Sequence, residues 1–247
     1  MVSIITPCHN SARFISETIM SVLKQTYQDF ELIIVDDCST DDSLLVIQPF
    51  LNSNSNIILV PLKENVGAAE ARNVALRLAM GRYIAFIDSD DIWEPTKLER
   101  QLNFMVSNNY SFTFTSYRVI DENGILTNRK ITAPRKISYS GYLKNTIIGC
   151  LTVVVDKQQI GYFEMPNIRS SHDMALWLLI LKRGYNAYGL DETLGYYRIV
   201  GNSNSAKKGR AAFDVWQVYR RFEGLSFCYS LYCFLGYAFN AIKKRVI

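Results

Sequence analysis

The chain has 247 residues, 49% of them hydrophobic, and a net charge of +4. That length gives one large α/β domain, or a domain with an appendage, and enough apolar side chains for a sizeable core. The small charge, with no basic stripe before the last thirty residues, argues against nucleic acid as a partner. Five cysteines (Cys8, Cys38, Cys150, Cys228 and Cys233) form no CxxC pair and no zinc spacing, which argues against a disulfide framework and for a reducing cytoplasm.

Val2 to Thr6 reads as a first strand, ended by Pro7, with no basic segment or long apolar run before it. No secretory signal is expected. Phe14, Ile15, Ile19, Val22 and Leu23 then recur at helical spacing. Glu31 to Val35 is a second strand ending in Asp36-Asp37, followed by a helix from about Asp41. Ile57 to Leu62 is a third strand, and Ala68 to Met80 a helix with Gly81 as its stop signal. The fourth strand, Tyr83 to Ile87, runs into Asp88-Ser89-Asp90-Asp91. Alternating strands and helices predict a mostly parallel sheet covered on both faces. Ligands bind at the carboxyl ends of such strands. Three carboxylates within four positions repel one another unless a cation or strong donors neutralise them, and hard oxygen ligands suit Mg²⁺ or Mn²⁺.

The second half is less regular. Ser111 to Ile120 and Ile125 to Lys130 flank a turn at Asp121-Glu122-Asn123-Gly124 and predict a hairpin. Leu151 to Val155 reads as a strand, Ser171 to Lys182 as a helix stopped by Gly184, Thr193 to Ile199 as a strand and Asn202 to Gly209 as a polar loop. Leu225 to Ile242 carries no charged side chain but many aromatics, then Lys243-Lys244-Arg245. It barely reaches spanning length. A packed helix is one reading, and an in-plane interfacial helix with a basic end is the favoured one.

Four blocks occur in order: Ser3-Ile4-Ile5-Thr6-Pro7 with Asn10; Ile34-Val35-Asp36-Asp37-Cys38-Ser39-Thr40-Asp41; Asn65-Val66-Gly67-Ala68-Ala69-Glu70-Ala71-Arg72-Asn73; and Phe86-Ile87-Asp88-Ser89-Asp90-Asp91. Jointly they resemble family 2 glycosyltransferases. Ser171-His172-Asp173 resembles that family's catalytic-base helix, and Tyr196-Tyr197-Arg198, with Ser203 beyond, its diphosphate-closing segment. The tail is similar to that of bacterial transferases of the teichuronic acid type.

The resemblance implies a glycosyltransferase A-type fold, with 1–100 as the nucleotide-binding half, 101–205 as the acceptor-binding half and 206–247 as a helical membrane-associating extension. It implies an inverting hexosyltransferase, peripheral on the inner face of the cytoplasmic membrane. A UDP-sugar would be the donor and a polyprenyl-diphosphate-linked saccharide the acceptor. Asp37, with Thr6, Pro7 and Asn10, would receive the uridine; the bland role for Asp37 is a helix cap. Asn65, Gly67 and Ser89 join the nucleotide site. Arg72 would reach the diphosphate or form an ion pair with the acids. Asp88 would contact ribose, Asp90 would bind Mn²⁺ or Mg²⁺, and Asp91 would cap the helix beginning near Pro95. Asp173 is the expected general base, with His172 beside it as a neighbour or acceptor contact. His9 would stack on uracil or be a loop histidine, and Asn73 would anchor a loop. Val200 stands where many relatives carry a histidine, leaving Arg198 or Lys207 for phosphate contacts. Trp93 and Trp177 are candidate sugar platforms, with core packing as the ordinary alternative.

Rival readings are fewer. A phosphatase acting through Asp88 lacks an acid at the first strand. A nucleotidyltransferase lacks a glycine-rich basic loop. The remaining alternative is a non-catalytic nucleotide-sugar-binding subunit.

Overall fold

The computed structural model describes residues 1–168, 170–201 and 208–246, without the side chains of 208–210 and 243–246. Ser203, Lys207 and the side chains of Lys243, Lys244 and Arg245 lie outside the described residues.

The first half is β1 (Val2–Cys8), α1 (Ile15–Leu23), β2 (Phe30–Asp36), α2 (Ser43–Ser53), β3 (Ile57–Pro61), α3 (Ala68–Leu78) and β4 (Tyr83–Phe86). Every residue of β1 and β2 is buried, as expected for strands covered on both faces. The strands pair in parallel in the order β3-β2-β1-β4, with Ile5 opposite both Ile33 and Phe86. The chain steps outward from β1 to β3 and then returns to the other side of β1, so the strand order reverses there. Such a reversal opens a crevice at the carboxyl strand ends.

The second half extends the sheet with β5 (Ile92–Trp93), α4 (Lys97–Asn108), β6 (Phe112–Ile120), β7 (Leu126–Ile131), β8 (Lys136–Ile137), α5 (Tyr139–Lys144), β9 (Val154–Asp156), α6 (Lys157–Ile160), α7 (His172–Lys182) and β10 (Ala187–Arg198). Strand β9 inserts antiparallel between β4 and β6, and β10 runs parallel to β6. The sheet is thus mixed but mostly parallel. Helices α1, α2 and α4 bury one face around Ile19, Ile47 and Leu102. Helices α3, α5 and α7 bury the other around Leu76, Leu143 and Trp177.

Several expected boundaries change. The strand read over Leu151 to Val155 begins only at Val154, behind a 3-10 turn over Cys150–Thr152. The strand read from Thr193 begins at Ala187. Its early part was hidden by Gly189, which reads as a breaker. A Cβ there would meet the Pro134 carbonyl oxygen at 2.1 Å, so the glycine permits close backbone approach within a strand. Gly81 likewise does not cap α3 in a left-handed conformation. Its missing Cβ makes room for the Ser3 amide, 2.6 Å from where that carbon would lie. Asp121 builds the expected hairpin turn by accepting the amides of Asn123 and Ile125, each at 2.9 Å.

The chain ends in α8 (Lys208–Gln217), a π-helical segment (Val218–Phe222) and α9 (Phe227–Val246). The polar loop read over Asn202 to Gly209 therefore gives way to helix at Lys208. Ser230, Cys233, Phe234 and Tyr237 turn inward, and Asn240 donates to the Lys144 carbonyl of α5 at 3.0 Å. Buried Glu223 accepts from Tyr139 of α5 and Lys182 of α7. Phe227, Leu231, Leu235, Phe239 and Ile242 are exposed. At 100° per residue they form one stripe on the outer side. The packed-helix reading holds for the inner face of this segment. Among the described residues no helix is long and apolar enough to cross a membrane.

Candidate active site

The carboxyl ends of β1, β2 and β4 open onto a cavity of about 410 Å³. Pro7 and His9 enter it from β1, Asp37 from β2, and Asn65 and Gly67 from the loop before α3. Arg72 enters from α3, and Asp88, Ser89 and Asp90 from the end of β4.

Asp37 is buried and organises the loop opposite. Its two carboxylate oxygens accept the amides of Val66 at 2.7 Å and Gly67 at 2.9 Å. It caps no helix. Each oxygen keeps a second lone pair. Gly67 holds φ +87°, a conformation that other residues adopt only with strain. The His9 Nδ1–H donates to the Asp37 carbonyl at 2.8 Å, a tautomer assigned from that bond. Asn65 donates to the same carbonyl at 3.2 Å. Asn10 at φ 50°, Cys38 at φ 59° and Ser171 at φ 57° are left-handed non-glycine residues; the first two follow β1 and β2, and the third precedes α7. Backbone strain of that kind gathers at functional loops.

The three acids fare differently. Asp88 forms an ion pair with Arg72. Asp91 is buried, and its Oδ1 accepts the Arg198 amide at 2.9 Å. It does not cap the next helix, whose N-cap position is Thr96. Burial, then the charges of Asp90 and Asp88, push the Asp91 carboxyl well above the usual carboxylate range. Asp90 lines the cavity, and among the described residues its carboxylate accepts from its own amide and from no other side chain. Burial and the neighbouring Asp88 charge push it up to about 6.

Arg72, only 4% exposed, also donates from a second nitrogen to His172 Nε2 at 2.7 Å. His172 Nε2 is thereby the acceptor nitrogen, and burial followed by the Arg72 charge lowers the histidine pKa, keeping it neutral. The adjacent Asn73 exchanges two hydrogen bonds with the Met165 backbone, at 2.9 and 2.7 Å, and is the expected loop anchor. Two successive α3 residues thus hold the segment that leads into α7. Asp173 follows in the first turn of α7, with Oδ1 on its neighbour's amide at 2.8 Å. His172 and Asp173 lie behind Arg72 rather than in the cavity wall.

Other expected site residues fall elsewhere. Thr6 is buried in the sheet, and Asn10 accepts the Thr40 amide at 2.8 Å; neither lines the cavity. Trp177 is fully buried against Phe86 and Phe112, with centroids 5.5 and 5.4 Å away. Trp93 is buried in β5, donates to the Leu151 carbonyl at 2.8 Å and carries Lys97 over its ring. Neither ring can face a sugar, which corrects both platform expectations. Arg198 is corrected as well. Its buried guanidinium bonds the Asp90 carbonyl, the Glu122 carbonyl and Glu17, and so pins the acid loop to α1 and the hairpin rather than a phosphate. Sequence reading passed over Ser11, which lines the cavity with its hydroxyl 2.7 Å from that of Ser89. Its only signal was a hydroxyl one residue beyond the first strand-end block.

The family model described as "Glycosyl transferase family 2" matches residues 3–164. The chain belongs to this family. It is 48% identical over 246 residues to the "Putative teichuronic acid biosynthesis glycosyltransferase TuaG" of Bacillus subtilis, covering 100% of this chain and 98% of that one. It is 41% identical to "UDP-Glc:alpha-D-GlcNAc-diphosphoundecaprenol beta-1,3-glucosyltransferase WfgD" of Escherichia coli, covering 99% and 95%. Among solved structures, mannosyltransferase PcManGT from Pyrobaculum calidifontis, in complex with GDP-Man and Mn²⁺, superposes with a TM-score of 0.72 at 20% identity. That match covers 91% of this chain and 64% of the other, and it places this family 2 glycosyltransferase in the glycosyltransferase A-type fold.

A divalent cation fits this glycosyltransferase in one respect. Asp90 has no side-chain donor among the described residues, and burial and the Asp88 charge raise its pKa, so a cation beside it would be stabilising. The protein alone does not build a cage, since among the described residues no three His, Cys, Asp or Glu side chains group around a metal position. An ion held through Asp90 must take its other ligands from substrate oxygens and water, as Mg²⁺ and Mn²⁺ commonly do.

Proposed function

We propose that this glycosyltransferase moves a hexose, with inversion, from a UDP-sugar to a polyprenyl-diphosphate-linked saccharide at the inner face of the cytoplasmic membrane. The observation that carries the reading is the link between the cavity's acids and the α7 terminus, made by Arg72 through Asp88 and His172. The donor side is residues 1–100, with uridine on Asp37, Pro7 and the Asn65–Gly67 loop and ribose on Asp88. WfgD, by its name, uses UDP-Glc and a diphosphoundecaprenol-linked GlcNAc, which supports the substrate classes.

In the reaction, an acceptor hydroxyl oxygen bonds to the anomeric carbon while the bond from that carbon to the diphosphate oxygen breaks. Asp173 takes the hydroxyl proton, and the nucleoside diphosphate leaves on the opposite face, so no covalent enzyme intermediate is needed. Asp90 would hold the divalent cation, Mn²⁺ or Mg²⁺, which offsets charge growing on the diphosphate. Arg72 lies where it adds fixed positive charge to the same wall. The outer stripe of α9 gives the enzyme a surface for the bilayer that carries its acceptor.

Calorimetry with UDP tests the donor half. Binding should strengthen with Mn²⁺ and fall at least tenfold in Asp90→Ala. Equal affinity with and without chelator would remove the metal from the reading.

A further inference from the structure

A second cavity, of about 270 Å³, lies between the segment entering α7 and the C-terminal helices. Ile168 and Ser170 form one wall; Asp214 and Gln217 of α8, with Val218 and Arg221 of the π-helical segment, face them. It is separate from the donor cavity, since no residue lines both.

The chemistry of its walls is unusual for a packing defect. The side chains of Ser170, Asp214, Gln217 and Arg221 have no hydrogen bond or ion pair among the described residues, although Asp214 and Gln217 are half-buried. Unspent donors and acceptors converging over the apolar floor of Val218 match the composition of a ligand site. A carboxylate, an amide, a hydroxyl and a guanidinium suit a ring bearing many hydroxyls, because each can donate to or accept from them. The carboxylate of Asp214 would repel a phosphate placed at its own end, so the sugar belongs there. Exposed Arg221, one side chain further along, suits a diphosphate. Phe222 also lines the cavity and is exposed, and Phe227 and Leu231, a few residues further along the chain, are exposed apolar side chains of α9. Ser170 itself is two residues before His172, the first residue of α7, and three before Asp173.

We infer that this cavity is the acceptor site. It takes the sugar of a polyprenyl-diphosphate-linked saccharide, with the diphosphate at Arg221 and the first part of the lipid on the apolar stripe. The π-helical turn has a use in this arrangement. By adding a residue to one turn of the helix it offsets Arg221 and Phe222 from the α8 side chains that line the sugar end. The inference rests on the proposed lipid-linked acceptor.

The probes are N-acetylglucosamine joined through a diphosphate to a decyl chain, and methyl N-acetylglucosaminide. Binding and transfer are measured for the wild type and for Gln217→Ala, Asp214→Asn and Arg221→Gln, with UDP affinity as the control for an intact fold. Gln217→Ala and Asp214→Asn should raise KM for the decyl probe tenfold or more and leave UDP affinity within twofold. Arg221→Gln should weaken the decyl probe but not the methyl glycoside. A diazirine at the first carbons of the decyl chain should label 222–231 in the unsubstituted protein, which tests the site without any variant. Variants that bind UDP and use the decyl probe as the wild type does, or labelling elsewhere, would overturn the site and leave the proposed function standing. A wild type that binds UDP but neither binds nor glycosylates the decyl probe would instead overturn the lipid-linked acceptor, and this inference with it.

Discussion

Arg72 and His172 stand 100 residues apart in sequence and share a 2.7 Å hydrogen bond. The same guanidinium is paired with Asp88, so one buried side chain joins the end of β4 to the start of α7. Arg72→Met would cut both connections at once and leave Asp88 without its cation. Transfer, read as kcat/KM, should fall by roughly a hundredfold or more, the scale for losing a preorganised charge beside a developing one. An unchanged value would show that Arg72 is only a structural pair.

The same bond separates the two candidate bases. The lone pair of His172 Nε2 is already engaged by Arg72, and burial with the Arg72 charge holds the ring neutral. Asp173→Asn should lower transfer by roughly a hundredfold or more while leaving UDP affinity intact. His172→Gln, which can still accept from Arg72, should stay within about tenfold of wild type. The reverse ranking would move the proton to the histidine.

Asp90 gives a pH test. Metal-free native protein keeps a proton on Asp90 up to about pH 6. An unfolded aspartate releases it near pH 4. The native state therefore binds more protons across this window, and stability is lost as pH rises from about 4 to about 6. Asp90→Asn removes that loss. Its metal-free stability should exceed the wild type's at pH 8 by on the order of 1–3 kcal/mol, seen as a higher thermal midpoint, and match it near pH 4. Mn²⁺-dependent UDP binding should vanish in the same variant. A lower midpoint at pH 8 would contradict the uncompensated charge.

The two-sided character of α9 decides how membrane attachment is tested. Cutting the chain near Gly224 would strip the inner face from α5 and confound folding with attachment. Leu231→Ser, Leu235→Ser and Phe239→Ser together change only exposed positions. This triple variant should keep the wild-type circular dichroism and UDP affinity but no longer sediment with anionic liposomes. Continued sedimentation would place attachment elsewhere.

The cavity at the strand ends was largely legible because each strand end carries its chemistry in consecutive residues. Asp37, Asn65, Gly67, Arg72, Asp88, Ser89 and Asp90 could be read from local blocks, and the sheet order then brings them together. What depended on distant partners could not be read. Tyr196-Tyr197-Arg198 looks like a phosphate clamp in sequence, yet Arg198 is consumed by Glu17, Asp90 and Glu122 from three other elements. Lys97 sits in a run that reads as an exposed helix start, but it is fully buried over Trp93 at 3.7 Å. Trp177 shows the same limit, since only the register of α7 against β4 and β6 decides that its ring packs on Phe86 and Phe112. Cavities formed between elements far apart in the chain, such as the one at Asp214 and Ser170, have no local signature at all.

Helix α3 begins at the glycine that clasps Asp37, and its next turn grips Met165 and His172. A helix is stiff along its axis, so the Asn65–Gly67 loop and the α7 terminus are fixed to one rod. They cannot separate like two jaws about a hinge. Whatever movement admits a substrate and releases a product must therefore leave the α3 anchors intact. Inserting a single residue between Gly67 and Arg72 would turn the rod by about 100° and misalign both ends together.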